Sequence, residues 1–157
     1  MAYQLAQVNV ARLLAPLESA QLEGFVQALD PVNASAEAAP GFVWRLKTDQ
    51  GNATSIRAFE WDVGDAAGII VNMSVWDSIE HLRTWVNESL HRSVLLQRKK
   101  WFEFVSEATT ALWWVPAGHE PTSDEAEQKL RDLRTRGPSP AVFDFRHRFN
   151  ATDDGPA

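Results

Sequence analysis

Residues 69–76 read IIVNMSVW, and the two-residue period of a strand divides them into unlike faces. Ile69, Val71, Met73 and Val75 share one face. Ile70, Asn72, Ser74 and Trp76 share the other, where an amide, a hydroxyl and an indole N–H stand in a row. Such groups bind and polarise the oxygen atoms of a small molecule. The opening stretch YQLAQVNV (3–10) repeats the division, with Ala6, Val8 and Val10 against Gln7 and Asn9. With the two strands in one sheet, Gln7, Asn9, Asn72, Ser74 and Trp76 gather on one face. Trp44 joins them, as does one of Trp113 and Trp114, which point to opposite faces. That face is too aromatic to be left wet and too polar to be a plain core. It predicts a chamber, closed by a second subunit, in which a few polar groups orient something small.

The elements that must position these residues follow from pattern and punctuation. Strands are expected at 3–10, 42–48, 54–61, 69–76 and 109–118, with a turn at 49–53 and a short closing strand, AVFDF, at 141–145. Helices are expected at 18–29, after Asp77 or Ser78, from about His91 to Val105, and at 121–138. The last is the best signposted: Thr122 and Glu125 form a capping box, Arg134 and Arg136 fill its last turn, and Gly137-Pro138 stop it. In the 91–105 helix, Val94, Leu95, Trp101, Phe102 and Val105 form an apolar stripe, with Trp101 a further candidate to touch a ligand. The order β-α-β-β-β-α-α-β-α-β predicts an α+β fold, an antiparallel sheet with helices on one face.

Length and composition set bounds. A chain of 157 residues, 45% hydrophobic, makes one domain with a real core. Fifteen Lys and Arg against 21 Asp and Glu give a net charge of −6, which argues against nucleic acid or an anionic membrane as partner. The absence of cysteine excludes disulfides, thiolate metal sites and a cysteine nucleophile. No H-x-x-E metal pair, glycine-rich phosphate loop or G-x-S-x-G elbow is present, so no metal is expected. No apolar run approaches the roughly 18 residues of a membrane span, so the chain reads as cytoplasmic. His81, His119 and His147 read as surface bystanders.

The strings YQLAQVNVARLL, PGFVWRLKT, IIVNMSVWDS, RKKWF, LWWVPAGHEPT and GPSPAVFDF resemble the bacterial DUF3291 family over residues 3–146, leaving 147–157 as a disordered tail. That family resembles the antibiotic-biosynthesis-monooxygenase superfamily. The resemblance implies a ferredoxin-like core in a dimeric α/β barrel, and two chemistries. In cofactor-independent quinone-forming monooxygenases, an Asn and a Trp four residues apart face the substrate, with an Arg on the following helix. Asn72, Trp76 and Arg98 match this pattern, although the only tyrosine is Tyr3 and no base stands out. In haem-degrading relatives an Asn, a strand-end Trp and a helical His form the site. Asn9, Trp76 and His91 match those, with NESL inserted before the histidine; His91, Leu95 and Arg98 lie on one helical face.

Three readings follow. The first is an enzyme without cofactor, a monooxygenase or cyclase of secondary metabolism acting on an aromatic or polyketide-like molecule. Its catalytic residues are Asn72, Trp76, His91 and Arg98, and its binding residues are Gln7, Asn9, Ser74, Trp44 and Trp101. The second is a haem protein ligated by His91. The third is a non-catalytic homodimeric binding module whose tryptophan-rich face is the subunit interface.

Overall fold

Strand β1 (Tyr3–Arg12) is the centre of the sheet, because both of its faces are buried and both of its edges are paired. A computed structural model describes residues 2–47 and 58–151, without the side chains of residues 89–91. The turn expected at 49–53 and the start of the return strand, 54–57, lie outside the described residues. Strands β2 (Phe42–Arg45), β3 (Ile69–Trp76) and β4 (Thr110–Pro116) complete an antiparallel sheet of order β2-β3-β1-β4. This is the ferredoxin-like order, in an α+β fold.

The helices do not keep to one face. Helix α4 (Ser123–Arg136) lies against Val8, Met73, Val75 and Trp113, the apolar face, through Ala126, Leu130 and Leu133. Those three recur at i, i+4 and i+7, so α4 carries a stripe that fits an apolar sheet. Its N-terminus is capped as the sequence predicts, the Thr122 hydroxyl accepting the Glu125 N–H at 3.1 Å. Helix α1 (Glu23–Ala38), helix α2 (Ile79–Val86) and helix α3 (Ser89–Leu96) lie over the opposite, polar face. The polar face is therefore covered by the chain's own helices rather than waiting for a second subunit.

Several boundaries differ from expectation for identifiable reasons. Helix α1 starts at Glu23 and runs through Pro31 to Ala38. The proline removes one N–H, but Phe25, Leu29, Val32 and Ala36 keep an unbroken stripe toward the sheet. The helix expected at 91–105 ends at Leu96 and is followed by a single 3-10 turn, Arg98–Lys100. Trp101 then buries against Leu13, Leu22 and Phe25, and Phe102 forms an antiparallel bridge with Leu13. Of the return strand expected at 54–61, residues 58–62 form a turn. Phe59 sits there in the left-handed region, φ 60°, which is costly for a residue with a Cβ. Its ring is fully buried under α4 and its N–H is accepted by Glu127 at 2.5 Å, which holds it in place.

The same turn carries a buried ion cluster. Asp62 accepts from Arg12 at 2.7 Å and from Arg134 at 2.6 Å, while the Arg134 Nε donates to the Ala108 carbonyl. Burial opposes the Asp62 charge, but the hydrogen bonds from Arg134 and Arg12 and their positive charge prevail. They hold its carboxyl below the usual carboxylate range. At the C-terminus, Phe143 bridges Leu112 at the open edge of β4. Phe149, in the segment expected to be disordered, packs on Phe143, and its carbonyl accepts the Trp114 indole N–H at 2.8 Å.

Candidate functional site: a cavity roofed by three helices

Register places a polar lattice across the sheet. Arg45, Ser74 and Gln7 are paired in one row across β2, β3 and β1; Asn72, Asn9 and Thr110 are paired in the next, across β3, β1 and β4. The Gln7 amide is central. Its Nε2 donates to Asn72 Oδ1 at 2.7 Å and to Ser74 Oγ at 2.8 Å, using both of its hydrogens. Ser74 Oγ also accepts the Trp76 indole N–H at 2.8 Å. Asn9 Nδ2 donates to Thr110 Oγ1 at 2.7 Å.

These bonds fix which ends of the amides remain available. With its oxygen accepting from Gln7, Asn72 has its NH2 group left to donate. With its nitrogen donating to Thr110, Asn9 has its oxygen left to accept. A donor and an acceptor thus stand side by side on paired residues, and both residues line a cavity of about 360 Å3. The volume falls within the roughly 300–1,000 Å3 of ligand sites. The roof and walls are apolar: Phe25, Leu29 and Val32 of α1, Leu82 and Trp85 of α2, and Val94 of α3. Arg45, Arg98, Phe102 and Phe145 complete it. Among the described lining residues, the arginines are the only side chains that carry charge.

The residues singled out in the sequence separate into two groups. Gln7, Asn9, Asn72 and Arg98 meet at the cavity. Trp76, Ser74, Trp44 and Trp101 do not line it. Trp76 is fully buried, stacked on Trp85 with ring centroids 5.5 Å apart, and its N–H is engaged by Ser74 rather than facing a ligand. Ser74 lies beneath the lattice as the acceptor shared by Gln7 and Trp76. Trp101 packs on the Gly24 backbone of α1, where an added Cβ would come within 3.3 Å of its ring. Trp44 packs into the apolar core on the other side of the sheet.

The reason for the Trp44 placement is a bulge. Phe42 pairs with Trp76, yet Trp44 pairs with Val75, a register shift of one residue. The extra residue reverses the alternation, sending Trp44 to the apolar face and Arg45 to the polar one. Simple period-two reading therefore selected Trp44 and missed Arg45. Trp85 was missed as well, although its spacing from Ile79 and Leu82 on a capped helix marked it as inward-facing. Its N–H donates to Ser35 of α1 at 3.0 Å, tying α2 to α1 over the cavity.

Of the haem trio, Asn9 lines the cavity and Trp76 is packed away from it, while the His91 side chain lies outside the described residues. Trp113 is buried under α4 with its N–H on Glu125, and Trp114 lies on the opposite face, bonded to Phe149. Trp76, Trp85, Trp101 and Trp113 are all buried inside one chain. His81 is structural. Its ring sits over Gly41, whose φ of 82° and lack of Cβ admit it, and its Nδ1 meets the Ser78 hydroxyl at 2.9 Å. No group of three or more His, Asp or Glu among the described residues is placed to hold a metal ion. No helix among them is long and apolar enough to cross a membrane.

The fold and cavity define a class: a ferredoxin-like α+β domain with a chamber between the polar face of its sheet and a helical roof. The chain belongs to the DUF3291 family, described as a domain of unknown function, which it matches over residues 4–156. Among solved structures it is similar to SnoaB, a cofactor-independent oxygenase from Streptomyces nogalater. That likeness has 15% sequence identity and a TM-score of 0.44, and covers 76% of this chain and 97% of that one. No curated protein matches the sequence.

Proposed function

We propose that the chain binds and transforms a small organic molecule with an aromatic or polyketide-like body in the cavity beneath α1, α2 and α3. The observation that carries this reading is the amide lattice. It presents the Asn72 N–H and the Asn9 oxygen to a chamber whose roof is largely apolar. Burying the polar side chains of Gln7 and Ser74 on a sheet face is costly unless they are satisfied, and their bonds serve to aim the Asn72 amide. Trp76 and Ser74 act as positioning residues. Asn72 donates to a substrate oxygen on which negative charge builds up, and Arg98 lies alongside to stabilise that charge.

The reaction class that suits these groups is cofactor-independent oxygenation or cyclisation. In the oxygenation, a methylene between two aromatic rings becomes a carbonyl. One atom of O2 is retained, and the other leaves as water with the two methylene hydrogens. Arg45 and Arg98 are the only charged side chains among the described lining residues.

The test is oxygen uptake with anthrone, whose methylene is of this kind. Uptake that falls at least about tenfold in Asn72→Ala, the loss expected of one such donor, supports the reading. Anthrone binding without uptake would reduce the protein to a binding module. A Soret band on adding haem, at one haem per chain, would replace the reading by the haem alternative.

A further inference from the structure

Helices α1, α2 and α3 roof the cavity, but on its β4 side the wall is the chain's own C-terminal segment. Register puts Thr110, Leu112 and Trp114 on the same face of the sheet as Asn9, Gln7 and Leu5, so the strip over β4 needs a cover. Helix α4 cannot supply it, because it packs on the opposite face. Phe145 does: it lines the cavity and packs against the cluster of Leu82, Trp85, Leu112 and Phe143. The segment that carries it is held at two points. Before it, Phe143 exchanges two backbone hydrogen bonds of 2.8 Å with Leu112. After it, Phe149 returns onto the Phe143 ring, and its carbonyl accepts the Trp114 indole N–H at 2.8 Å. Between these points the Asp144 carboxylate accepts the backbone N–H groups of Arg146 and His147, at 2.9 and 2.8 Å, and turns the chain.

Resting on the cavity reading above, we infer that Phe145 is a ligand-binding residue, and that residues 144–150 form a strap fastened by the ligand it helps to enclose. A half-buried ring at the edge of a hollow has contacts left to make, and an aromatic ligand supplies them with favourable ring geometry. The strap is also built to move. Arg146, His147 and Arg148 are exposed, so the segment is tied at its ends rather than buried along its length. Such segments open at lower cost than the core they lie on. Phe143, fully buried, stays as the fixed end. Trp114 lies outside the cavity lining, so its N–H is a positioning group that reaches the ligand only through Phe149 and the strap. A ligand that touches the strap only when it is closed shifts its opening equilibrium by its own affinity.

The test is brief trypsin digestion of the full chain, with and without anthrone under anaerobic conditions, each cleavage being read by mass. Cleavage after Arg146 and Arg148, within the strap, is expected to slow about tenfold at roughly ten times the Kd of anthrone, because only the open strap is cut. Cleavage after Arg136, at the end of α4, is the control and is expected to keep its rate. Phe145→Ala is expected to weaken anthrone binding about threefold to tenfold, the worth of one aromatic pair. Trp114→Phe keeps a ring and loses the N–H. It is expected to speed strap cleavage without ligand and to weaken binding, with cleavage after Arg136 unchanged. If Phe145→Ala fails to fold, the digestion of the unaltered protein still decides. Anthrone that binds yet leaves strap cleavage unchanged, or slows it no more than cleavage after Arg136, would overturn the inference while the cavity reading stands. So would a folded Phe145→Ala variant that binds anthrone as well as the unaltered protein. Anthrone that does not bind at all would overturn both.

Discussion

The two faces of the sheet receive the same strands and answer differently. Under α4, side chains alternate into a solid core: Val8, Val75 and Trp113 are buried with Met73, and the one buried carboxylate there, Asp62, is closed off by two arginines. Under α1, α2 and α3 the same strands present Gln7, Asn9, Asn72 and Arg45, and a cavity remains between them and the helices. Polar side chains that bond along the sheet lie flat and do not interdigitate with a helix. The apolar roof then has nothing to pack into at the centre. A hollow is the consequence of that lattice, and the solid face supplies the stability that the hollow one forgoes.

The largest effects should fall on the solid face. Asp62→Ala strands Arg134, whose side chain is 9% exposed, and should cost about 3–5 kcal/mol in urea unfolding. A pair of core truncations sharpens the contrast. Met73→Ala should cost about 2–5 kcal/mol, whereas Leu29→Ala, on the half-buried cavity wall, should cost about 1 kcal/mol. Equal costs would mean that the chamber is packed like the core.

Strong acid should loosen the solid face. The Asp62 carboxyl titrates below its unfolded value of roughly 3.9, so its contribution is complete above that pH and is lost as the pH falls through the folded value. Asp62→Asn should flatten the stability profile below about pH 4. If the profile keeps its slope there, another carboxylate is responsible. Smallest is Trp76→Phe. It keeps the ring stack and removes one hydrogen bond to Ser74, for about 1 kcal/mol of stability, while loosening the lattice that aims Asn72. Its signature is a fall in oxygen uptake with anthrone out of proportion to that small loss.

Much of this was legible in the sequence, and what was not has physical causes. The antiparallel sheet, the α4 cap and the meeting of Gln7, Asn9 and Asn72 follow from alternation and capping, which are local signals, whereas the ferredoxin-like core and Arg98 came from the family resemblance. The face that α4 covers is decided by long-range packing, and two amphipathic helices are interchangeable in a periodicity argument. Trp44 and Arg45 exchanged places through one inserted residue in β2, which leaves no mark in hydrophobic pattern. Trp76 was read as a ligand-facing donor because a strand fixes the direction of a side chain. It does not reveal that Ser74, two residues away, accepts the hydrogen bond of its indole N–H.

The most direct test of the account follows the indole and side-chain amide N–H signals of the 15N-labelled protein as anthrone is added under anaerobic conditions. Ligand beneath α1, α2 and α3 should shift the Trp85 indole and the Asn72 amide, and the Trp76 indole through Ser74. The Trp113 indole, bonded to Glu125 on the far face, should stay in place. Shifts at Trp113 with Trp85 and Asn72 unmoved would contradict the account and move the site to the wrong side of the sheet.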